Sequence, residues 1–252
     1  MLAVIAIFAA STLTALIWLG VTAIASPGLG ATVLEARLFT GPAIHLGQFQ
    51  TTRLSLGLIP WGSSVRLLDQ MAMEQTWSQE FVTQPEQSAS NSNPTDWSEW
   101  QTRFLQGRQL FEQLPWVSRM AIILSGWLVI LLLAFMVLGV PQTHQAFWAT
   151  YEETYRYLLE PDFARASLRW LNQAVAAQQW LSAITLLAVK ITALNLIPVP
   201  FLAGGAAIQE TAAAIIDRPV QFPNQWVATT FFLAIGLFCL FFVRTWNALQ
   251  IV

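Results

Sequence analysis

The chain has 252 residues, of which 55% are hydrophobic and only 10% charged, and its net charge is −2. A soluble domain carries about 25% charged residues, so this composition excludes an ordinary soluble globular protein and points to a membrane protein. The balanced charge, with no basic tract, gives no attraction to nucleic acid, and a single cysteine excludes both an internal disulfide and a cysteine-built metal site.

Residues 1–26 form the first predicted transmembrane helix: positions 1–25 hold no charged side chain, and about 20 apolar residues cross a bilayer. The alternative is a cleaved signal peptide, since Ala23-Ile24-Ala25 resembles a small-residue cleavage site. The missing positive n-region and the long apolar run speak against it. Residues 27–69 read as a β-hairpin region, with β-prone pieces at Val33–Thr40 and Gln48–Ile59 and turns at Gly41-Pro42 and Pro60-Trp61-Gly62. Arg53 to Leu58 alternate polar and apolar residues, the period of a half-buried strand.

Residues 70–117 read as a polar linker, with Gln84–Asn93 nearly free of apolar residues, followed by a surface helix carrying Phe104, Leu105, Leu110, Phe111 and Leu114. Residues 118–140 are a second transmembrane helix. Residues 141–177 hold two amphipathic patterns broken at Pro161 and read as helices lying on the membrane. Residues 178–225 give a third transmembrane helix and a short helix after it; residues 226–252 give a fourth and a tail. Trp116, Trp180, Trp226 and Trp246 fall at span edges, where aromatic belts form. Cys239 sits in an apolar run and reads as a packing residue.

The most informative stretch is Asn195-Leu196-Ile197-Pro198-Val199-Pro200-Phe201-Leu202-Ala203-Gly204-Gly205. Two prolines cannot continue a regular helix, and the glycine pair allows close backbone approach. Irregular backbone at membrane depth must be covered by protein or line a wet cavity. The stretch is therefore either a packing kink or the wall of an intramembrane site.

It resembles the N-x-x-P-x-P-x-L-D-G-G motif of the site-2 protease family, intramembrane zinc metalloproteases. Leu58-Ile59-Pro60-Trp61-Gly62-Ser63-Ser64-Val65-Arg66 is similar to that family's L-I-P-x-G-G-x-V-K, and Ser118 to Trp127 to its R-x-x-I-x-x-A-G-P, with Gly126 at the glycine. The resemblance implies a mainly α membrane protein with four transmembrane helices, a membrane-associated β-hairpin after the first and a Pro-broken third helix. It also implies that the hairpin residues Arg53, Leu54, Leu56, Leu58 and Pro60 line a binding groove. The interval from the second span to Asn195 leaves no room for the PDZ module that many relatives insert there.

Two positions in these motifs lose a polar residue of the family pattern. The zinc-ligand Asp is Ala203, and a polar Asn of the second span is Ile130. The family's H-E-x-x-H, two histidines one turn apart with a glutamate base, would fall near Trp18–Thr22, yet residues 1–34 contain no His, Glu, Asp or Cys. His45 and His144 are the only histidines and are expected on opposite sides of the membrane. No metal or other cofactor is expected. Lys190, in the third span, costs about 2.5–3.5 kcal/mol at mid-bilayer; it either pairs inside the bundle, with Glu210 the nearest candidate, or snorkels to the interface.

These features give a catalytically inactive member of the site-2 protease family that binds other integral membrane proteins within the lipid bilayer, as a subunit, assembly factor or regulator. The rivals are an active metallopeptidase with an unconventional metal site and a small transporter or channel using Lys190. Arginine is commoner in the hairpin and linker segments than in residues 141–177 and the tail, which places the hairpin on the cytoplasmic side or its equivalent. The Gln- and Trp-rich style suggests a cyanobacterial or plastid membrane, thylakoid or plasma.

Overall fold

The computed structural model describes residues 2–49, 52–78, 101–102, 104–106, 108–200, 202–216, 218, 220 and 222–249, apart from the side chains of residues 59–61, 77 and 238. The expected linker core at Gln84–Asn93 lies outside the described residues.

Helix α1 runs Leu2–Gly28, about 40 Å at 1.5 Å per residue. Its buried positions are mostly small: Ala3, Ala6, Ala10, Thr14, Ala15, Thr22 and Ser26. Spaced at three to four residues, they let neighbouring helices approach closely, while Ile5, Phe8, Leu13 and Leu16 face outward. Two antiparallel strands follow, β1 (Val33–Phe49) and β2 (Thr52–Leu67). They extend the expected β pieces, and each doubles back on itself. Glu35 to Leu38 match Arg66 back to Ser63 on one side and Arg53 to Leu56 on the other, and Ala43 to Phe49 match Gly57 back to Thr52. The sheet lies against α1, where the Ser63 hydroxyl donates to the Ala15 carbonyl at 3.2 Å. That carbonyl is at the middle of α1, so the hairpin reaches its central depth.

Residues 70–77, read as linker, form helix α2 (Gln70–Trp77), capped by the Asp69 carboxylate on the Ala72 N–H at 2.6 Å. The expected surface helix is broken: residues 101, 102 and 104 are helical, residues 108–110 have no regular structure, and Phe111–Gln113 makes a 3-10 turn. Its apolar residues instead pack inward, Leu110 against Leu68 and Met73, and Leu114 against Ala31 and Ile122.

Helix α3 (Trp116–Leu138) starts after Pro115 and ends at Gly139, whose φ of 81° suits glycine. Helices α4 (Val140–Leu159) and α5 (Pro161–Ala176) come next. Both pack into the bundle rather than only lying on it: Ala146 meets Ala134 and Val189, and Leu168, Leu171 and Val175 meet Ala3, Ala6 and Ala183. Helix α6 (Trp180–Asn195) has 16 residues, about 24 Å, short of the roughly 30 Å hydrocarbon layer. Helices α7 (Ala203–Ile216) and α8 (Asn224–Leu249) complete the chain.

Among the described residues three helices, α1, α3 and α8, are long and apolar enough to cross a membrane, and α6 is a shorter apolar helix. The chain is thus mostly helical, with three candidate spans where four were expected. Helix α8 joins the bundle near its C-terminal end, where Arg244 donates to the Leu158 carbonyl at 3.1 Å and Tyr157 stacks on Phe241 with centroids 4.8 Å apart.

Candidate functional site

Helix α6 stops at Asn195 because the backbone beyond cannot stay helical. Pro198 has no N–H to donate, and residue 197 before it is pushed from the helical region. The Asn195 side chain turns back to donate to the Ile191 carbonyl at 2.9 Å. Pro198 and Pro200 thus lie between α6 and α7, and Ala203 opens α7. The glycines after it are required by space: a Cβ on Gly204 would lie 2.1 Å from the Leu196 carbonyl oxygen, and one on Gly205 2.0 Å from that of Val199.

Next to this loop the structure gathers the positions at which the sequence departs from the family pattern. Trp127, Ile130 and Ala188 are buried in one cluster with Ile17, Trp18, Ile191, Leu196 and Ala203 packed on it. Trp18, at the expected start of H-E-x-x-H, has its ring centroid 5.9 Å from that of Trp127. Gly126 belongs to the same contact, since a Cβ there would lie 2.5 Å from Trp18 Cδ1 and 2.9 Å from Trp18 Cα. The indole N–H groups of Trp18 and Trp127 are buried without a protein acceptor. Catalytic zinc needs three N, O or S ligands and an open position. The cluster presents indoles and alkyl groups, and the polar side chains next along its helices, Thr22 and Asn195, offer a hydroxyl and an amide; none is a usual zinc ligand, so these residues do not fit that ion. Among the described residues, no group of three His, Cys, Asp or Glu could hold a metal. His45 pairs with Ser55 in the sheet, and His144 accepts a hydrogen bond from Trp148 on α4 at 3.1 Å; neither lies in this junction.

Lys190 does not pair with Glu210. Its ammonium meets the carboxylate of Glu153 on α4, and both side chains are partly exposed. Sequence reasoning missed Glu153 because it placed α4 on the membrane surface. The acidic step at Glu152-Glu153 was the available signal. Glu210 instead binds Arg119 at 2.9 Å, tying α7 to α3. Burial pushes its carboxyl above the usual carboxylate range; the Arg119 guanidinium opposes the shift and Glu112 adds to it.

The expected groove residues occupy an inner position in the sheet. Arg53, Leu54 and Leu56 lie between residues 35–38 and 43–49, so backbone partners flank them on both sides. Their side chains differ: Arg53 and Leu54 are exposed and Leu56 is half-buried, while Leu58 beyond them is exposed. Pro60 lies in β2, its side chain outside the described residues. Among the described residues two runs lack a second strand neighbour: 63–67, whose Ser63 meets α1, and 43–49, where Ile44, Leu46 and Phe49 are all exposed. Gly41, Pro42 and Gly47 break its alternation, which hid it from the strand pattern.

No curated protein matches the chain. The sequence model of peptidase family M50, however, matches residues 28–239, from the end of α1 to the middle of α8; the match takes in the Leu58–Arg66, Ser118–Trp127 and Asn195–Gly205 stretches and begins after Trp18–Thr22. The chain belongs to peptidase family M50, the site-2 protease family.

Proposed function

We propose that this chain is a multi-pass, membrane-embedded M50 scaffold that binds other membrane proteins without cleaving them, as a subunit, assembly factor or regulator of a membrane complex. One observation carries the reading: Trp18, Trp127, Ile130 and Ala203, which the motif resemblance puts at or beside the family's ligand positions, pack in one cluster. The parts suited to holding a partner remain. Residues 43–49 form an apolar outer strand of a sheet that reaches the middle of α1. An outer strand edge offers unpaired backbone groups to another segment, and strand addition supplies that pairing. In this reading α6 with the loop to Ala203 acts as the third of four spans, the loop covering the depth its 16 residues leave.

Photo-crosslinking in native membranes tests the proposal. A photoreactive residue at Ile44 or Leu46 should give discrete protein adducts, whereas one at Leu237 on the outer face of α8 should give lipid adducts. Lipid adducts alone at all three positions would overturn it. The local partner of Lys190 supports a structural ion pair over a transport path: Lys190→Met that keeps its fold but abolishes a measured ion flux would reverse that preference.

A further inference from the structure

We infer that the indole of Trp18 fills the space where the M50 ligand positions meet, closing the centre of this chain into an apolar plug that excludes water. The inference rests on family membership and on the junction, not on the hairpin edge, so each can fail without the other. Three observations converge. Trp18 shares one cluster with Ile130 and Ala203, the two positions at which polar family residues are replaced. Gly126 leaves so little room that even a methyl group would meet both the ring and the Cα of Trp18, so α1 and α3 touch at backbone distance at this level. The second indole, Trp127, is 9% exposed and packs at 5.9 Å on the first.

Close-packed interiors leave few voids larger than a water molecule; the hydrophobic side chains packed with the indoles are alkyl, and Thr22, one turn on from Trp18, is itself buried. A peptide bond and an attacking water both need space that Trp18 takes. Supplying ligands elsewhere around the junction would not reopen it; Trp18 itself has to go.

Thiol accessibility tests this. In a Cys239→Ser background, which removes the chain's single native thiol, Ile130→Cys places one thiol at the centre, where Ile130 is 3% exposed. With Trp18 present, reaction with N-ethylmaleimide in mild detergent should run about 100-fold slower than after unfolding in SDS, as for a site reached only by local opening. Protection of less than about tenfold overturns the inference. Adding Trp18→Ala should raise the rate of the folded protein by more than about tenfold, and an unchanged rate in a variant that still melts cooperatively overturns it as well. If Trp18→Ala does not melt cooperatively, Trp18→Leu carries the same reading.

Discussion

Gly126→Ala puts a methyl group where α1 and α3 meet most closely. Its Cβ would lie 2.5 Å from Trp18 Cδ1 and 2.9 Å from Trp18 Cα, against about 3.5–4.0 Å for favourable carbon contacts. The ring could rotate away, but the Cα is backbone, so the helices must separate. Overpacking of this kind costs about 1–3 kcal/mol. Alanine returns about 1 kcal/mol over glycine in a helix interior, leaving a net loss of up to about 2 kcal/mol. For a chain of this size that lowers Tm by up to about 8 °C. Thermal unfolding in mild detergent reads it, and the double variant with Trp18→Ala makes it specific. Trp18→Ala alone should cost about 3–5 kcal/mol, and in its background the added cost of Gly126→Ala should shrink by at least about 1 kcal/mol. Additivity to within about 0.5 kcal/mol, or a Gly126→Ala variant more stable than the parent, would refute close packing between these residues.

Gly204→Ala should be more damaging, because its Cβ meets the Leu196 carbonyl at 2.1 Å with no flexible side chain to give way; a loss of more than about 3 kcal/mol is expected, and near-native melting would contradict the tight turn. Lys190→Met should destabilise by about 1 kcal/mol, since its ion pair with Glu153 is partly exposed, and Lys190→Met with Glu153→Leu should recover most of that; a double variant no better than the single would argue against the pair. Glu210 gives a pH dependence. Its raised folded-state pKa means that the folded chain keeps a proton the unfolded chain has released, so this group's contribution is full below the ordinary carboxylate value and declines as pH rises through the raised one. Glu210→Gln should flatten that decline in Tm, and an unchanged slope would count against it.

The long apolar runs made α1, α3 and α8 legible, because about 20 uncharged residues have few other fates. The hairpin and the Asn195–Gly205 stretch were legible because proline and glycine dictate backbone outcomes locally. What escaped depends on tertiary contact. Nothing near Lys190 in the chain names Glu153, 37 residues earlier, and the amphipathic pattern of α4 does not say whether membrane or protein covers its apolar side. The sheet's outer run was hidden because Pro42 and Gly47 interrupt its alternation, and strand order is settled by the bends rather than by any one strand. At the candidate site, Ala203 and Ile130 stand out against the family motifs in the sequence itself. That Trp18 meets them, close against the glycine at 126, required the fold.

The most direct test of a binding scaffold without a metal centre is the zinc content of the protein purified in mild detergent without chelator. The expected result is zinc far below stoichiometric, with a melting curve unchanged by later chelation. Stoichiometric zinc that resists dialysis, and whose removal lowers Tm, would contradict the account.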